Sequence, residues 1–434
     1  MTLSKHIVLV GLNHKLAPLD TRERLAFGSD GLREALSLFT SQGGADGDYG
    51  DAGVILSTCN RLEVYTLASC AEEGLDAVCR LLEHCHGESV DAFRSYLYTW
   101  TDERAARHLF SVAAGLDSMV LGEHEILGQV TASMETALSQ AAAGKVLSAL
   151  FRHAIEAGKQ ARTETAISEG TTSISHVAVE LARKSVGDLS GCRVLLIGAG
   201  DVAELSAEAL AESGVGWLSI LNRTQRRGKQ LAERFQAQAF AWEQLEEALH
   251  WADVVICSTA APQTIIRPKQ LRRASVSGRR RPLFLIDIAV PRDVDPRVAQ
   301  MENVHLYDID DLGTAVSGSL VERRQEVPKV EEIVAEATQA FMAWYRSLDV
   351  VPTIVGLREQ AYSVREAEVE RALRRLPRLN DRERQIVEAM AKRIVSKLLH
   401  GPTVCLKEVA NHSEGSEYAR VARDLFGVDG KKAQ

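Results

Sequence analysis

The sequence predicts an α/β protein of three domains: an α+β domain first, a doubly wound parallel sheet second and an all-helical domain last. Three observations lead to this prediction. Segments 6–100 alternate in the order β-α-β-β-α-β. Residues 192–213 run from an apolar strand through a glycine turn into a helix. Beyond residue 312 the apolar residues recur at helical spacing. With 434 residues the chain is long enough for each part to have its own core.

Composition and charge limit the class of protein. An apolar content of 45% and a charged content of 25% are those of a soluble globular protein. No apolar run approaches the roughly 20 residues that span a bilayer. The residues around Lys5 and His6 lack the regions of a signal peptide, so we expect a cytoplasmic location. A net charge of -8 argues against sequence-blind nucleic-acid binding but does not exclude a local patch for one specific RNA.

The cysteines indicate neither a disulfide framework nor a metal site. They are seven, an odd number, scattered over a long chain. Cys79, His84, Cys85 and His86 form a cluster that could suggest a metal site. No second ligand pair stands at zinc-finger spacing, and a helix face accounts for the pattern, so we expect no metal.

The first domain has the order of a split βαβ, or ferredoxin-like, motif. Its predicted elements are a strand at 6–10, a helix at 30–42, a hairpin around Cys59, a helix at 72–84 and a strand at 95–100. In this order, the hairpin lies at the centre of the domain and Cys59 lies at its turn.

Cys59 is the candidate nucleophile. Two apolar runs flank Ser57-Thr58-Cys59-Asn60-Arg61, a pattern typical of a hairpin turn. The positive charge of Arg61 favours the thiolate, which is the reactive form. The alternative is that Cys59 fills a gap in the core as a small apolar residue.

The segment after this motif carries further candidates. Thr101 and Asp102 are N-cap candidates for a helix to about Ala114, and this helix contains His108. A helical His among apolar residues is more often structural than catalytic, and both roles stay open. Residues 115–125 combine two glycines with polar groups, as in a substrate-lining loop or a helix–helix connection. Residues 126–165 are predicted to be helical.

The second domain carries a dinucleotide fingerprint. A predicted strand at 192–197 is followed by Gly198-Ala199-Gly200-Asp201-Val202-Ala203, which opens a helix at 203–213. Glycines let the backbone approach a pyrophosphate at the helix N-terminus. The third fingerprint position is Ala203, which still allows close packing of helix on strand. We therefore predict a Rossmann-type fold.

The following strand indicates which cofactor is bound. It covers 217–221 and ends in Asn222-Arg223-Thr224, where an NAD site would have an acidic residue. An arginine accommodates a 2′-phosphate instead, which favours NADP(H). Arg226 and Arg227 add positive charge; the alternative is a solvated charge run. Strands at 254–258 and 283–288 complete the sheet, and residues 259–262 and 289–292 follow at its carboxyl edge.

The last part of the chain is predicted to be helical. One apolar stripe comprises Val330, Ile333, Val334, Ala337, Phe341 and Trp344. Helices at 356–373 and 381–400 follow, the latter with Ile386, Val387, Met390, Ile394 and Leu398 along one side. Such stripes must be buried by a dimer partner, which we favour, or by an intrachain three-helix bundle. Pro328 either kinks the first helix or starts it. The tail from Gly427 is polar and expected to lack structure.

Together these motifs resemble the glutamyl-tRNA reductase family along nearly the whole chain. The resemblance rests on Gly11-Leu12-Asn13-His14-Lys15 with Arg22-Glu23, on the Cys59 motif, on Gly115-Leu116-Asp117-Ser118 through Gly128-Gln129, on the glycine turn with Asn222-Arg223-Thr224, and on residues 287–292. It implies a V-shaped homodimer with a catalytic domain at 1–165, an NADPH domain at 166–311 and a dimerisation domain at 312–426, followed by a tail at 427–434.

The resemblance also implies roles for single residues. Cys59 matches the nucleophile, and His108 matches a histidine that acts in acid–base chemistry or polarises the carbonyl. The positions that line the glutamyl pocket correspond to Thr58, Asn60, Arg61, Ser118, Glu123, His124, Glu125 and Gln129. Arg61 would anchor a substrate carboxylate. Glu123-His124-Glu125 departs from the commoner Glu-x-Gln, so a carboxylate replaces a neutral amide near a substrate that itself carries a carboxylate.

The implied activity is NADPH-dependent reduction of glutamyl-tRNA to glutamate-1-semialdehyde through a cysteine thioester, the first step of five-carbon tetrapyrrole synthesis. The implied partners are the tRNA substrate, a second copy of the chain and the downstream glutamate-1-semialdehyde aminomutase. Two alternatives are an aldehyde dehydrogenase of free acyl substrates and a non-catalytic NADP(H)-sensing protein. No RNA-binding motif stands out.

Overall fold

A computed structural model describes residues 5–39, 52–168, 173–276, 281–315, 320–409 and 415–428. The chain forms two compact units, one over residues 6–335 and one built from the chain after residue 335. The strands are β1 His6–Asn13, β2 Gly53–Ser57, β3 Arg61–Ala68, β4 Tyr98–Thr101, β5 Arg193–Ile197, β6 Trp217–Leu221, β7 Gln238–Phe240, β8 Val254–Cys257, β9 Leu283–Asp287 and β10 Val304–Tyr307.

The α-helices before residue 320 are between six and 21 residues long. They are α1 Leu19–Arg24, α2 Ser29–Ser37, α3 Ala71–His86, α4 Asp102–Ala113, α5 Glu125–Ser139, α6 Gly144–Glu164, α7 Ile174–Val186, α8 Asp201–Glu212, α9 Gln225–Arg234, α10 Leu245–Trp251, α11 Pro268–Arg273 and α12 Ile309–Ala315. Three more helices follow: α13 Leu320–Arg375, α14 Asp381–Val409 and α15 Gly415–Phe426.

The first sheet confirms the predicted ferredoxin-like domain. Its strand order is β2-β3-β1-β4, and every neighbouring pair is antiparallel. The middle strands β1 and β3 are buried along nearly their whole length. In their register Asn13 lies opposite Arg61 and Gly11 lies opposite Glu63. A charged residue therefore lies within an apolar strand at the centre of the sheet.

Several boundaries in this domain differ from the prediction. The short helix α1 was not predicted, and the fourth strand begins at Tyr98 because residues 94–96 form a 3-10 turn. The single helix predicted at 126–165 is two helices, α5 and α6, since Ala141 and Gly144 adopt positive φ of 55° and 56°. The predicted end of the helix at residue 42 lies outside the described residues.

Asp102 does not act as the predicted helix cap. Its carboxylate accepts hydrogen bonds from the Ile7 backbone N–H at 3.0 Å and from His6 Nδ1 at 2.6 Å. Thr101 holds the N-cap position without a side-chain bond to the helix. The carboxylate of Asp102 therefore ties the start of α4 to strand β1.

The second sheet confirms the Rossmann-type fold. Its order is β10-β9-β8-β5-β6-β7, with parallel pairing throughout. This is the doubly wound arrangement whose switch point lies at the carboxyl ends of β5 and β8. The edge strands β7 and β10 are only three and four residues long, too short for the periodicity to show them. Leu312 of α12 packs in the apolar core of this domain.

The C-terminal helices are longer than predicted. Two predicted helices form one, α13, which begins at Leu320, so Pro328 lies inside it and does not start it. Helix α14 continues through Pro402 to Val409. The second half of α13 packs on α14 and α15 through Val350, Ile354, Leu357, Leu406 and Ala419.

Within the part of the chain that the structure describes, the apolar stripe of α14 is exposed. Ile386, Met390, Ile394 and Leu398 are each between 51% and 69% exposed. The intrachain bundle therefore buries one end of these helices only, and the predicted stripe remains available to a partner. No helix in the described ranges is long and apolar enough to cross a membrane.

Candidate active site

A rigid hairpin turn presents Cys59. Strand β2 ends at Ser57 and β3 begins at Arg61, and the Thr58 N–H donates to the Arg61 carbonyl at 2.8 Å. The Thr58 hydroxyl accepts hydrogen bonds from the backbone N–H groups of Asn60 and Arg61, both at 3.2 Å. Arg22 Nη1 donates to the Cys59 carbonyl at 2.6 Å. These bonds fix the backbone on both sides of the thiol.

Cys59 opens into a pocket of about 330 Å³, a volume that includes the open mouth. The structure brings seven of the eight predicted substrate residues to its wall: Thr58, Asn60, Arg61, Ser118, Glu123, Glu125 and Gln129. His124 is not among the lining residues. Ile126 and Ile174 also line the pocket. Ile174 was not predicted there, because it starts a helix of the second domain.

The thiol is not activated by Arg61 as expected. Burial, followed by the negative charges of Glu123 and Glu125, raises the pKa of Cys59 to about 12. Arg22 is the cation that lowers this pKa, and only in part. At neutral pH, Cys59 is therefore a thiol, and its proton must be removed when it attacks.

Arg61 is already paired inside the protein. It is only 2% exposed, and its Nη1 donates to Glu63 Oε1 at 2.6 Å. Its Nη2 donates to Asp117, to the carbonyl at 2.6 Å and to Oδ2 at 3.1 Å. Although burial lowers the pKa of Arg61, the Glu63 charge raises it above its usual range. The expected bidentate contact with a substrate carboxylate is not available while these bonds hold.

His108 contacts Glu63 and does not line the pocket. Its Nε2 lies 2.7 Å from Glu63 Oε1, and its ring packs against Tyr98 and Trp100. This geometry differs from the expectation that His108 acts directly on the acyl carbonyl. In the structure, its ring nitrogen contacts the carboxylate that holds Arg61.

Glu63 lies at the centre of this buried charge network, and sequence reasoning missed it. Its fully buried carboxylate also accepts hydrogen bonds from Tyr65 Oη and Tyr98 Oη, both at 2.6 Å. Burial would raise the pKa of Glu63, but His108 and Arg61 lower it well below its usual range. The available signal was an acidic residue inside the apolar strand Leu62-Glu63-Val64-Tyr65, opposite Gly11.

The glycine turn has the shape of a phosphate cradle. Gly198 has a φ of +130°, and a Cβ there would lie 2.9 Å from Ser258 Oγ and 3.0 Å from the Ser258 carbonyl. At Gly200, by contrast, nothing lies within 4 Å of the place of a Cβ, so the backbone is open to a ligand. Asp201 and Val202 begin α8, and Ala203 is buried in the sheet core. The residues fit a dinucleotide pyrophosphate.

The predicted ribose-side residues lie at the same edge of the sheet. Strands β5 and β6 are parallel neighbours, so Asn222, Arg223 and Thr224 follow β6 beside the glycine turn. Asn222 Nδ2 donates to the Thr224 carbonyl at 2.9 Å. Arg223 is exposed and forms no ion pair with another residue in the described ranges. A cation free of internal partners suits a 2′-phosphate.

Helix α1 joins the hairpin to the second domain. Arg22 Nη2 pairs with Asp310 of α12, and Arg292 Nε donates to Glu23 Oε1 at 2.9 Å. The Cys59 side chain itself packs against an apolar cluster that includes Ala203 of α8 and residues of the second sheet. The thiol and the dinucleotide domain thus share one packed boundary.

The comparisons with known proteins divide the chain in the same order. Residues 10–165 match the family model "Glutamyl-tRNAGlu reductase, N-terminal domain". Residues 180–315 match "Shikimate / quinate 5-dehydrogenase", and residues 329–428 match "Glutamyl-tRNAGlu reductase, dimerisation domain". The chain is therefore an oxidoreductase with a nicotinamide-binding domain and a domain for forming homodimers.

Relatives match over nearly the whole chain. Glutamyl-tRNA reductase of Desulfitobacterium hafniense is 40% identical over 426 residues, 98% of this chain and 95% of the relative. That of Carboxydothermus hydrogenoformans is 41% identical over 423 residues, 98% of this chain and 93% of the relative. The structure of glutamyl-tRNA reductase from Methanopyrus kandleri is 32% identical, with a TM-score of 0.52, and covers 98% of this chain and 99% of that one. This chain belongs to the glutamyl-tRNA reductase family, whose enzymes serve tetrapyrrole synthesis.

Proposed function

We propose that this enzyme reduces glutamyl-tRNA to glutamate-1-semialdehyde with NADPH, through a thioester on Cys59. One observation carries the proposal. Cys59 is held at a rigid turn, in a pocket lined by polar side chains, at the boundary with the dinucleotide domain. A nucleophile placed there meets an acyl group on one side and faces a cofactor domain on the other.

The acyl transfer needs only groups on this chain and on its substrate. The Cys59 sulfur forms a bond to the glutamyl carbonyl carbon, and the ester bond to the tRNA ribose breaks. The thiol proton ends on the ribose oxygen, and the tRNA leaves. When bound, the reduced cofactor would supply the hydride that converts the thioester to the aldehyde; the sulfur would leave as a thiolate and take a proton from solvent to restore the thiol.

The cofactor residues follow from the geometry of the second domain. Residues 198–203 would hold the pyrophosphate at the start of α8, because Gly200 leaves the backbone open. Arg223 would pair with the 2′-phosphate, which supports NADPH over NADH. We further propose a cytoplasmic location, where charged tRNA is present.

The substrate residues fall into two groups. Thr58, Asn60, Ser118, Glu123 and Gln129 line the pocket and would contact the glutamyl group. His108 and Arg61 are proposed as positioning residues, because their polar atoms are directed to Glu63 and Asp117. Through Asp117 they hold the loop that carries Ser118.

The product suggests the partner that follows. Glutamate-1-semialdehyde is a reactive aldehyde, so transfer to the enzyme that consumes it would protect it from water and amines. We therefore propose the aminomutase as a partner, alongside the second copy of the chain.

The test is an acid-quench trap followed by a chase. The protein is mixed with tRNA carrying labelled glutamate, without cofactor, and label is sought on protein that resists acid but not hydroxylamine. We expect label on the wild type and none on Cys59→Ser. NADPH should then release the label as aldehyde faster than NADH does.

Each alternative predicts another outcome. Labelling from free glutamate or from RNase-digested substrate would indicate a dehydrogenase of free acyl groups. Absence of label on the wild type, with intact NADPH binding, would overturn the thioester and favour a sensor protein. Loss of NADPH binding in Cys59→Ser would show that Cys59 supports the fold.

A further inference from the structure

The Cys59 pocket contains two carboxyl groups, Glu123 and Glu125, in different electrostatic surroundings. Burial raises the pKa of Glu123, but the Arg61 and Arg162 charges and the Ser118 hydroxyl offset part of this. Arg162 Nη2 also donates to the Glu123 carbonyl at 2.9 Å, which holds that cation nearby. The positive charges of Arg61 and Arg162 therefore act on Glu123.

Glu125 has no such support. It opens helix α5, lines the pocket, and its Oε1 is buried without a hydrogen-bond partner among the described residues. The charged groups that act on it are Glu123 on the preceding loop and Asp201 at the start of α8, both negative. Burial and these two carboxylates raise the pKa of Glu125 to about 7.

Arg61, the cation among the described lining residues, pairs with Glu63 and Asp117 and is not one of the charges that act on Glu125. Gln129, one turn along α5, is neutral, and Cys59 is a thiol at neutral pH. Arg22 acts on Cys59 and its carbonyl. The negative charge of Glu123 opposes ionisation of Glu125, so Glu125 is the member of the pair that keeps its proton up to about pH 7.

We propose that Glu125 works as a neutral carboxylic acid, which donates a hydrogen bond to the acyl oxygen during attack by Cys59, and that its ionisation stops the acylation. This inference rests on the proposed thioester. A donor at this place stabilises the negative charge that develops on the carbonyl oxygen. When Glu125 ionises, the donor is lost, and its charge opposes both that oxygen and formation of the thiolate.

The test compares wild type with Glu125→Gln, which keeps a neutral donor and cannot ionise. Single-turnover acylation of Cys59 by labelled glutamyl-tRNA is measured without cofactor between about pH 6 and about pH 8.5. The ratio of the wild-type rate to the variant rate should fall about thirtyfold over this range, as Glu125 loses its proton. Substrate hydrolysis and ionisation of the thiol also depend on pH, but because they affect both proteins they cancel in the ratio of the two rates.

Glu135→Gln is the matched control, since Glu135 lies exposed on the same helix. Its ratio to the wild type should stay constant with pH. A second measurement needs no substrate: alkylation of Cys59 by iodoacetamide at about pH 8 should be faster in Glu125→Gln, because a negative charge beside the thiol is gone.

The outcomes separate this inference from the proposed function. Label on Cys59 in both proteins with a ratio that does not change with pH would overturn the role of Glu125 alone. Inactivity of Glu125→Gln at every pH would also overturn it, because an amide would then not replace the acid. No label on either protein would overturn the thioester itself.

Discussion

At the residue scale, the least expected feature is the buried charge network around Glu63. Its carboxylate joins Arg61, His108, Tyr65 and Tyr98 at 2.6 to 2.7 Å. Burying these charges is costly unless every one of them is paired. The network fixes Arg61, which in turn holds Asp117 and the loop that leads to the pocket.

We expect Glu63→Gln to lower the free energy of unfolding by about 3 kcal/mol at neutral pH. The substitution keeps the shape but leaves Arg61 without its main counter-charge. Because the folded pKa of Glu63 is lowered, the carboxylate stabilises the fold above the pH where an unfolded glutamate titrates, about 4.3. This stability is lost as pH falls towards the lowered folded pKa.

Urea unfolding at several pH values measures the effect. The difference between wild type and Glu63→Gln should be full at pH 7 and shrink below about pH 4. Glu135→Gln, an exposed substitution of the same kind, serves as control and should unfold like the wild type. Equal stability of wild type and Glu63→Gln at pH 7 would contradict the network's role.

At the element scale, the short helix α1 connects the nucleophile to the second domain. The Arg22 side chain is 2% exposed and has acceptors on three sides. Its Nη1 contacts the Cys59 carbonyl, its Nε donates to the Ala17 carbonyl at 3.3 Å, and its Nη2 pairs with Asp310. A planar guanidinium can donate hydrogen bonds to all of these acceptors at once, whereas the ammonium group of a lysine is a compact point charge.

We expect Arg22→Lys to slow acylation of Cys59 by about a hundredfold, because a small displacement of the nucleophile has effects of this size. NADPH binding should not change, since the glycine turn is not touched. Single-turnover labelling and cofactor fluorescence measure the two quantities. Arg24→Lys is the control and should acylate at the wild-type rate, because Arg24 lies exposed on the same helix and pairs with Glu88, away from Cys59. Equal rates for Arg22→Lys and Arg24→Lys would show that the fork geometry is not required.

At the scale of the whole molecule, the C-terminal domain leaves one helix face uncovered. The stripe of α14 formed by Ile386, Met390, Ile394 and Leu398 lies within the dimerisation-domain match. Exposed apolar side chains in such a row are typical of an interface between subunits. We therefore expect this stripe to form part of the homodimer contact.

Replacing Ile394 by Glu should convert the dimer to monomers at micromolar concentration, because a carboxylate in an apolar interface has no partner. Light scattering after gel filtration should show the mass fall from two chains to one. Lys392→Glu, an exposed change on the other side of the same helix, should remain dimeric. A dimeric mass for Ile394→Glu would place the contact elsewhere.

The sequence by itself determined the features that depend on local order. The hairpin around Cys59, the strand–glycine–helix turn and the helical stripes follow from periodicity and from the backbone freedom of glycine. They predicted the two sheet domains and the order of the domains, whereas the seven pocket residues were implied by the resemblance to the family. The short edge strands and helix α1 were not predicted, because segments of so few residues show no hydrophobic periodicity.

Only the tertiary structure decided which charges meet. Arg61 stands two residues from Cys59 in sequence, yet its charge is directed to Glu63 and Asp117. Arg22, far away in sequence, is the cation that acts on the thiol. The surroundings of Glu123 and Glu125 differ, because arginine charges act on Glu123 whereas the Asp201 carboxylate acts on Glu125. Charge interactions depend on distance and burial in space, and the spacing of residues along a chain records neither.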